Sequence, residues 1–126
     1  MAFHLEVVED RIICVTAEGN VDADEFRATS NARVTFAREK LGDVPYALIY
    51  DISKANLLIL DPRLTGWSVR LDKNMQGVVA ISQQVMASVA LKLFRKLWDA
   101  NVDVVRTYDE ALNKAKAMLH SASGGG

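Results

Sequence analysis

Cysteine is nearly absent from this chain. Cys14 stands alone, which rules out an internal disulfide and any zinc site built on several thiolates. A single thiol suits a reducing compartment. Histidine is almost as scarce, with His4 near one end, His120 near the other and no second ligand at metal-like spacing. No apolar run approaches the roughly 18–20 residues that span a bilayer, and the opening MAFHLEVVED has neither a basic n-region nor a long apolar h-region. A cytoplasmic protein with no membrane span is expected. Walker and dinucleotide glycine patterns are missing, as is a Gly-x-Ser-x-Gly turn around Ser53, Ser68 or Ser82, so nucleotide hydrolysis and serine-hydrolase chemistry have no foothold. No cofactor is expected.

There is no surplus of charge of one sign either. A net charge of −1 argues against nucleic acid as a partner, which calls for a basic domain. The distribution is less even, because residues 1–25 hold seven acids against Arg11 alone while residues 26–98 hold eleven bases and five acids. That asymmetry allows a basic face. A chain of 126 residues is long enough to bury one self-sufficient core, so residues 1–120 are assigned to a single domain. The small, polar close Ser121 to Gly126 is assigned to a flexible tail.

What is present is a regular alternation of elements. His4–Glu9 and Arg11–Glu18 read as two strands of a tight antiparallel hairpin, with Cys14 a small buried hydrophobe in the second. Gly19-Asn20 is read as the end of that strand, and Asp22 with Glu25 forms a capping-box-like helix start. Phe26, Ser30, Val34, Ala37 and Leu41 recur at the spacing of one buried helix face before Gly42 stops it. Tyr46 to Tyr50 is apolar throughout, as a strand covered on both faces must be, and Asp51 is read as its end. An apolar loop, Leu57 to Leu60, leads to Asp61-Pro62, an N-cap followed by proline at the first helical position. Leu64, Trp67 and Leu71 form the buried stripe of that short helix. Gly77 to Ser82 is another buried strand, and Val85 to Ala100 a helix with Met86, Val89, Leu93 and Leu97 on its core face. Val102 to Val105 is the last strand, after which Thr107 and Glu110 cap a closing helix through Leu112, Ala115 and Leu119. The order β-β-α-β-α-β-α-β-α predicts an α/β fold: a mostly parallel five-stranded sheet with an N-terminal hairpin and four helices.

The chain resembles the STAS domains, the SpoIIAA-like anti-sigma-factor antagonists, and in particular their divergent standalone branch. The resemblance rests on that element order, on Tyr50-Asp51-Ile52-Ser53 closing a strand, on Leu60-Asp61 leading to a helix with Gly66, and on Val104 to Ala111 before the last helix. It implies a small domain that works by binding, commonly to a regulatory protein, with some members binding nucleotides or apolar ligands. Members that are phosphorylation switches carry an Asp-Ser-Ser-Gly-like stretch at the second helix. Here that stretch reads Asp61-Pro62-Arg63-Leu64-Thr65-Gly66, and Pro62 and Arg63 stand where the serines would. The resemblance therefore implies a domain without the usual phosphoacceptor, unless Thr65 or Ser68 replaces it.

Two candidate surfaces follow. Arg63, Arg70 and Lys73 on the short helix, with Lys92, Arg95 and Lys96 on the third, would make a cationic rim for an acidic partner or anionic headgroup if they face one way; the alternative is two ordinary solvated helix faces. Leu57 to Leu60 with Trp67 would line a pocket beyond the strand ends, or seal the core, or form a dimer contact. Asp51 and Asp61 make a poor acid–base pair, because Asp61 is a helix cap and Asp51 a binder of loop amides. The reading is a non-enzymatic regulatory domain with a protein partner, whose contacts are Leu57, Leu60, Arg63, Trp67, Arg70, Lys92 and Lys96. Its alternative is a carrier or sensor of a small apolar or lipid-like anionic ligand, and a homodimer is compatible with either.

Overall fold

A computed structural model describes residues 2–57, 64, 67–68, 70–83 and 101–124. Strands β1 (Ala2–Glu9) and β2 (Ile12–Val21) form the expected antiparallel hairpin, closed by the Glu9–Ile12 pair around Asp10-Arg11, with Arg11 in the left-handed region at φ 58°. Next come helix α1 (Ala23–Leu41), β3 (Tyr46–Leu57), β4 (Met75–Ile81), β5 (Val102–Val105) and helix α2 (Tyr108–Gly124). The strands lie in sequence order in one sheet. The β2–β3, β3–β4 and β4–β5 pairs are parallel, so the sheet is mixed, as a hairpin followed by crossovers requires.

Strand β3 runs through the middle, and its alternation decides what covers each face. Ala47 and Ile49 point to the side where Ala111, Ala115, Met118 and Leu119 of α2 pack, together with Ile12, Cys14, Val79 and Ile81. Tyr46, Leu48 and Tyr50 point to the opposite side, with Ile13, Val15 and the α1 residues Phe36, Ala37 and Leu41. Cys14 is buried as expected, and burial pushes its thiol pKa up.

Capping also follows the expectation. Asp22 accepts the Glu25 amide at 2.9 Å to start α1, and Gly42, at φ 80°, donates its amide to Arg38 O at 3.1 Å to end it. Thr107 Oγ1 accepts the Glu110 amide at 3.2 Å at the head of α2.

Several boundaries are corrected. Asp51 does not end β3, nor does Gly19 end β2. The pairing shifts between Thr16 and Glu18, where β3 carries one extra residue after Asp51. Asp51 Oδ1 accepts from Ser53 N at 3.1 Å and from Ser53 Oγ at 2.7 Å, so a bulge stabilised by its own side chain absorbs the interruption. Glycine at φ 83° lets β2 continue through Val21, which pairs with Leu57. Leu57 therefore belongs to a strand, not to a loop. The buried stripe of α1 is also rotated: its deepest residues are Thr29, Ser30, Arg33 and Ala37, while Phe26, Val34 and Leu41 are half-buried.

Among the described residues there are two helices with defined bounds, against the four expected. Leu64, Trp67, Ser68 and Arg70 have helical backbone in the region assigned to the short helix, and the helix expected over 85–100 lies outside the described residues. Residues 121–124, assigned by composition to a tail, continue the backbone of α2. No helix among the described residues is long and apolar enough to cross a membrane.

Ile49 is fully buried between β2, β4 and α2. Ile49→Ala is expected to cost about 3 kcal/mol in urea unfolding, in the usual range for a cavity in a tight core.

Candidate functional site

Parallel pairing obliges the chain to cross from the end of β3 back to the start of β4, and the crossover segment settles against α1. Leu64 and Ser68, one helical turn apart, are buried, whereas Trp67 and Arg70 are exposed. The sequence stripe of Leu64, Trp67 and Leu71 is thus corrected at its middle member. Trp67 keeps 36% of its surface open, and Ser68 takes the inward position instead.

Ser68 is inward because α1 offers it partners. Its hydroxyl lies 2.8 Å from Ser30 Oγ, and Arg33 donates to the Ser68 carbonyl from Nη2 at 2.9 Å and to the hydroxyl from Nη1 at 3.4 Å. Arg33 is only 4% exposed. A guanidinium so deeply placed loses its hydration, and bonds to a carbonyl and hydroxyl replace only part of it. Arg33 Nε and Tyr50 Oη are both buried without a hydrogen-bond partner.

A second knot lies where the crossover enters β4. Asp72 is buried and accepts from Tyr46 Oη at 2.8 Å and from the Asn74 amide at 3.0 Å. Asn74 Nδ2 reaches Asp43 Oδ1 at 2.6 Å, and this bond, helped by Lys73, lowers the Asp43 pKa. Burial drives the Tyr46 phenol well above its ordinary pKa, opposed by the nearby Arg33 cation. Burial likewise pushes Tyr50 up to about 12, again with Arg33 opposing.

These groups brace the segment. Ser68 is enclosed and its hydroxyl is engaged, the carboxylate of Asp51 is occupied by Ser53, and no cluster of three metal-ligating side chains occurs among the described residues. What the arrangement delivers to the surface is an indole and a guanidinium on a seated segment. Of the residues assigned to binding, Trp67 and Arg70 share the outer side of that segment. Leu57 closes β3. Leu60, Arg63, Lys92 and Lys96 lie outside the described residues, so the cationic rim is represented by Arg70 and the exposed Lys73. Sequence reasoning passed over Arg33 and Asp72, and it buried Ser30 and Tyr46 without assigning them polar partners. The available signal was spacing: Ser30, Arg33 and Ala37 fall three and four residues apart, so an arginine stood on the face that had to be buried.

The chain has a SpoIIAA-like fold. A protein of the DUF3478 family with a SpoIIAA-like fold, from Shewanella loihica PV-4, superposes with a TM-score of 0.64 over 90% of this chain and 92% of that one, at 15% identity. The anti-sigma factor antagonist SpoIIAA in its unphosphorylated form gives 0.57 over 91% and 98%, at 14% identity. The phosphorylated form of SpoIIAA, described as a Bacillus cell fate determinant, gives 0.57 over 90% and 98%, also at 14% identity. No family model and no curated protein matches the sequence.

Two outcomes are expected here. Arg33→Ala should destabilise the chain by roughly 2–4 kcal/mol in urea, since it removes the donor to the buried Ser68 carbonyl and leaves a cavity under the segment. Tyr50→Phe should be neutral or slightly stabilising at pH 7, because it deletes an unpartnered hydroxyl. In the alkaline range the folded phenol, at about 12, holds its proton above the ordinary value of 10.0 at which the unfolded chain releases it. Tyr50 therefore lends stability that is complete below pH 10 and lost toward pH 12. Stability profiles of the two proteins should diverge there, with the phenylalanine variant falling less steeply.

Proposed function

We propose that this protein is a cytoplasmic, non-enzymatic regulatory domain that works by binding another protein, and that it does so without a phosphoacceptor serine. The observation that carries the reading is the fold, shared over about nine-tenths of the chain with an anti-sigma factor antagonist. Two further features support it. Pro62 and Arg63 occupy the positions where the resemblance places serines, and Ser68, the described alternative, is sealed under α1 with its hydroxyl engaged. A kinase would have to lift the segment to reach it.

The contact surface is the outer side of the crossover segment. Trp67 supplies a large, rigid apolar anchor and Arg70 a planar cation, the pairing of side chains enriched where binding energy concentrates. Leu57, Leu60, Arg63, Lys92 and Lys96 are the further proposed contacts from the sequence, and an acidic patch on the partner would complement the cations among them.

Trp67→Ser and Arg70→Glu should each abolish capture of the specific partner from cell extract, and Trp67→Ser should do so with the thermal midpoint nearly unchanged, because the indole is exposed. Capture that survives both substitutions would remove this face from consideration. Native mass spectrometry of the purified chain tests the alternative at the same time. A discrete extra mass released on denaturation would favour a carrier of an apolar or lipid-like anionic ligand over a protein-binding domain.

A further inference from the structure

The two edges of the sheet are finished in different ways. Strand β5 is only four residues long. Asn101 O and Val105 O accept from β4, so by strand alternation the amide of Val104 points to the open edge. It does not stay open: Asp103 Oδ1 accepts it at 2.9 Å, and Lys114 Nζ holds the other Asp103 oxygen at 2.6 Å. A short strand with a charge folded over its outward amide is closed to further pairing.

Strand β1 has none of these protections. It is eight residues long, AFHLEVVE, without lysine or proline, and among the described residues it pairs with β2 alone. Its one irregularity, between Val7 and Glu9, lies beside the hairpin turn and leaves the preceding run straight. Phe3, His4, Glu6 and Val7 are exposed, with Phe3 at 40% and Val7 at 38%, while Leu5 packs partly into the core on the α1 side. An edge of this length and composition is a template for another strand.

We propose that the strand it receives is β1 of a second copy, antiparallel, about a two-fold axis passing through Leu5 perpendicular to the sheet. The register carries the argument. With Leu5 on the axis, Phe3 faces Val7 of the other copy and His4 faces Glu6, and symmetry makes each contact twice. Aromatic opposite β-branched and base opposite acid are favourable cross-strand pairs. Moving the axis to Glu6 sets that carboxylate against its own copy, and moving it to His4 sets two imidazoles together. Only the Leu5 register matches apolar with apolar and sets each carboxylate opposite an imidazole that can donate to it. The junction joins the two sheets edge to edge and leaves Trp67 and Arg70, which lie on the crossover segment and not on β1, to another partner.

Sedimentation velocity on the full chain tests this, using substitutions confined to exposed positions. The unaltered protein should sediment as a dimer. His4→Glu alone sets carboxylate against carboxylate, and Glu6→Lys alone takes away the carboxylate that the imidazole faces; each should raise the dimer dissociation constant roughly tenfold. The double substitution reverses the pair without removing it and should restore dimerisation, with circular dichroism verifying the fold of every variant. A monomeric unaltered chain overturns the proposal. So does a dimer that ignores both single substitutions, or one that the double substitution fails to restore.

Discussion

A strand with both faces buried and neighbours on both sides has no room for error, and β3 is that strand here. It pairs with β2 and β4, alternates Ala47 and Ile49 toward α2 with Tyr46, Leu48 and Tyr50 toward α1, and so brings two otherwise separate cores into one body. The small residues of α2, Ala111 and Ala115, let that helix lie close to the sheet. The tyrosines solve a different problem. They fill the α1 side with aromatic volume, at the cost of bringing two hydroxyls inside, one of which finds Asp72 and one of which finds nothing.

Much of this was legible in the residues. The unbroken apolar run at Tyr46 to Tyr50 announced a doubly covered strand, and the caps at Asp22 and Thr107 set two helix starts, because periodicity and local side-chain bonds depend only on near neighbours. The misreadings share one cause. Asp51 and Gly19 are breakers by local rules, yet β2 and β3 pair past both, since a bulge lets a ladder continue where either strand alone would stop. Trp67 looked like a core residue by its helical spacing from Leu64 and Leu71. Ser68 displaced it because Ser30 and Arg33 were waiting on the other side, and a bond between residues 35 and 38 positions apart leaves no trace in a local pattern.

The polar groups under the crossover segment divide the labour of the molecule. Arg33, Ser30, Tyr46 and Asp72 face inward and hold, while Trp67 and Arg70 are exposed on the other side. A rigid anchor loses less freedom on association than a mobile one, so in the proposed function an inward network of this kind would serve affinity without touching the partner. Ser68, the one described hydroxyl of the segment, is a structural tie within that network.

The contacts that seat the segment join Ser30 to Ser68, Arg33 to Ser68 and Tyr46 to Asp72, and between the first and last of these positions lies the whole of β3. Each contact closes a loop of 26 to 38 residues that contains β3, an ordering cost that local bonds do not carry. None of the three is a rung of the sheet ladder. The seating of the exposed indole and the pairing of the strands therefore rest on separate sets of bonds.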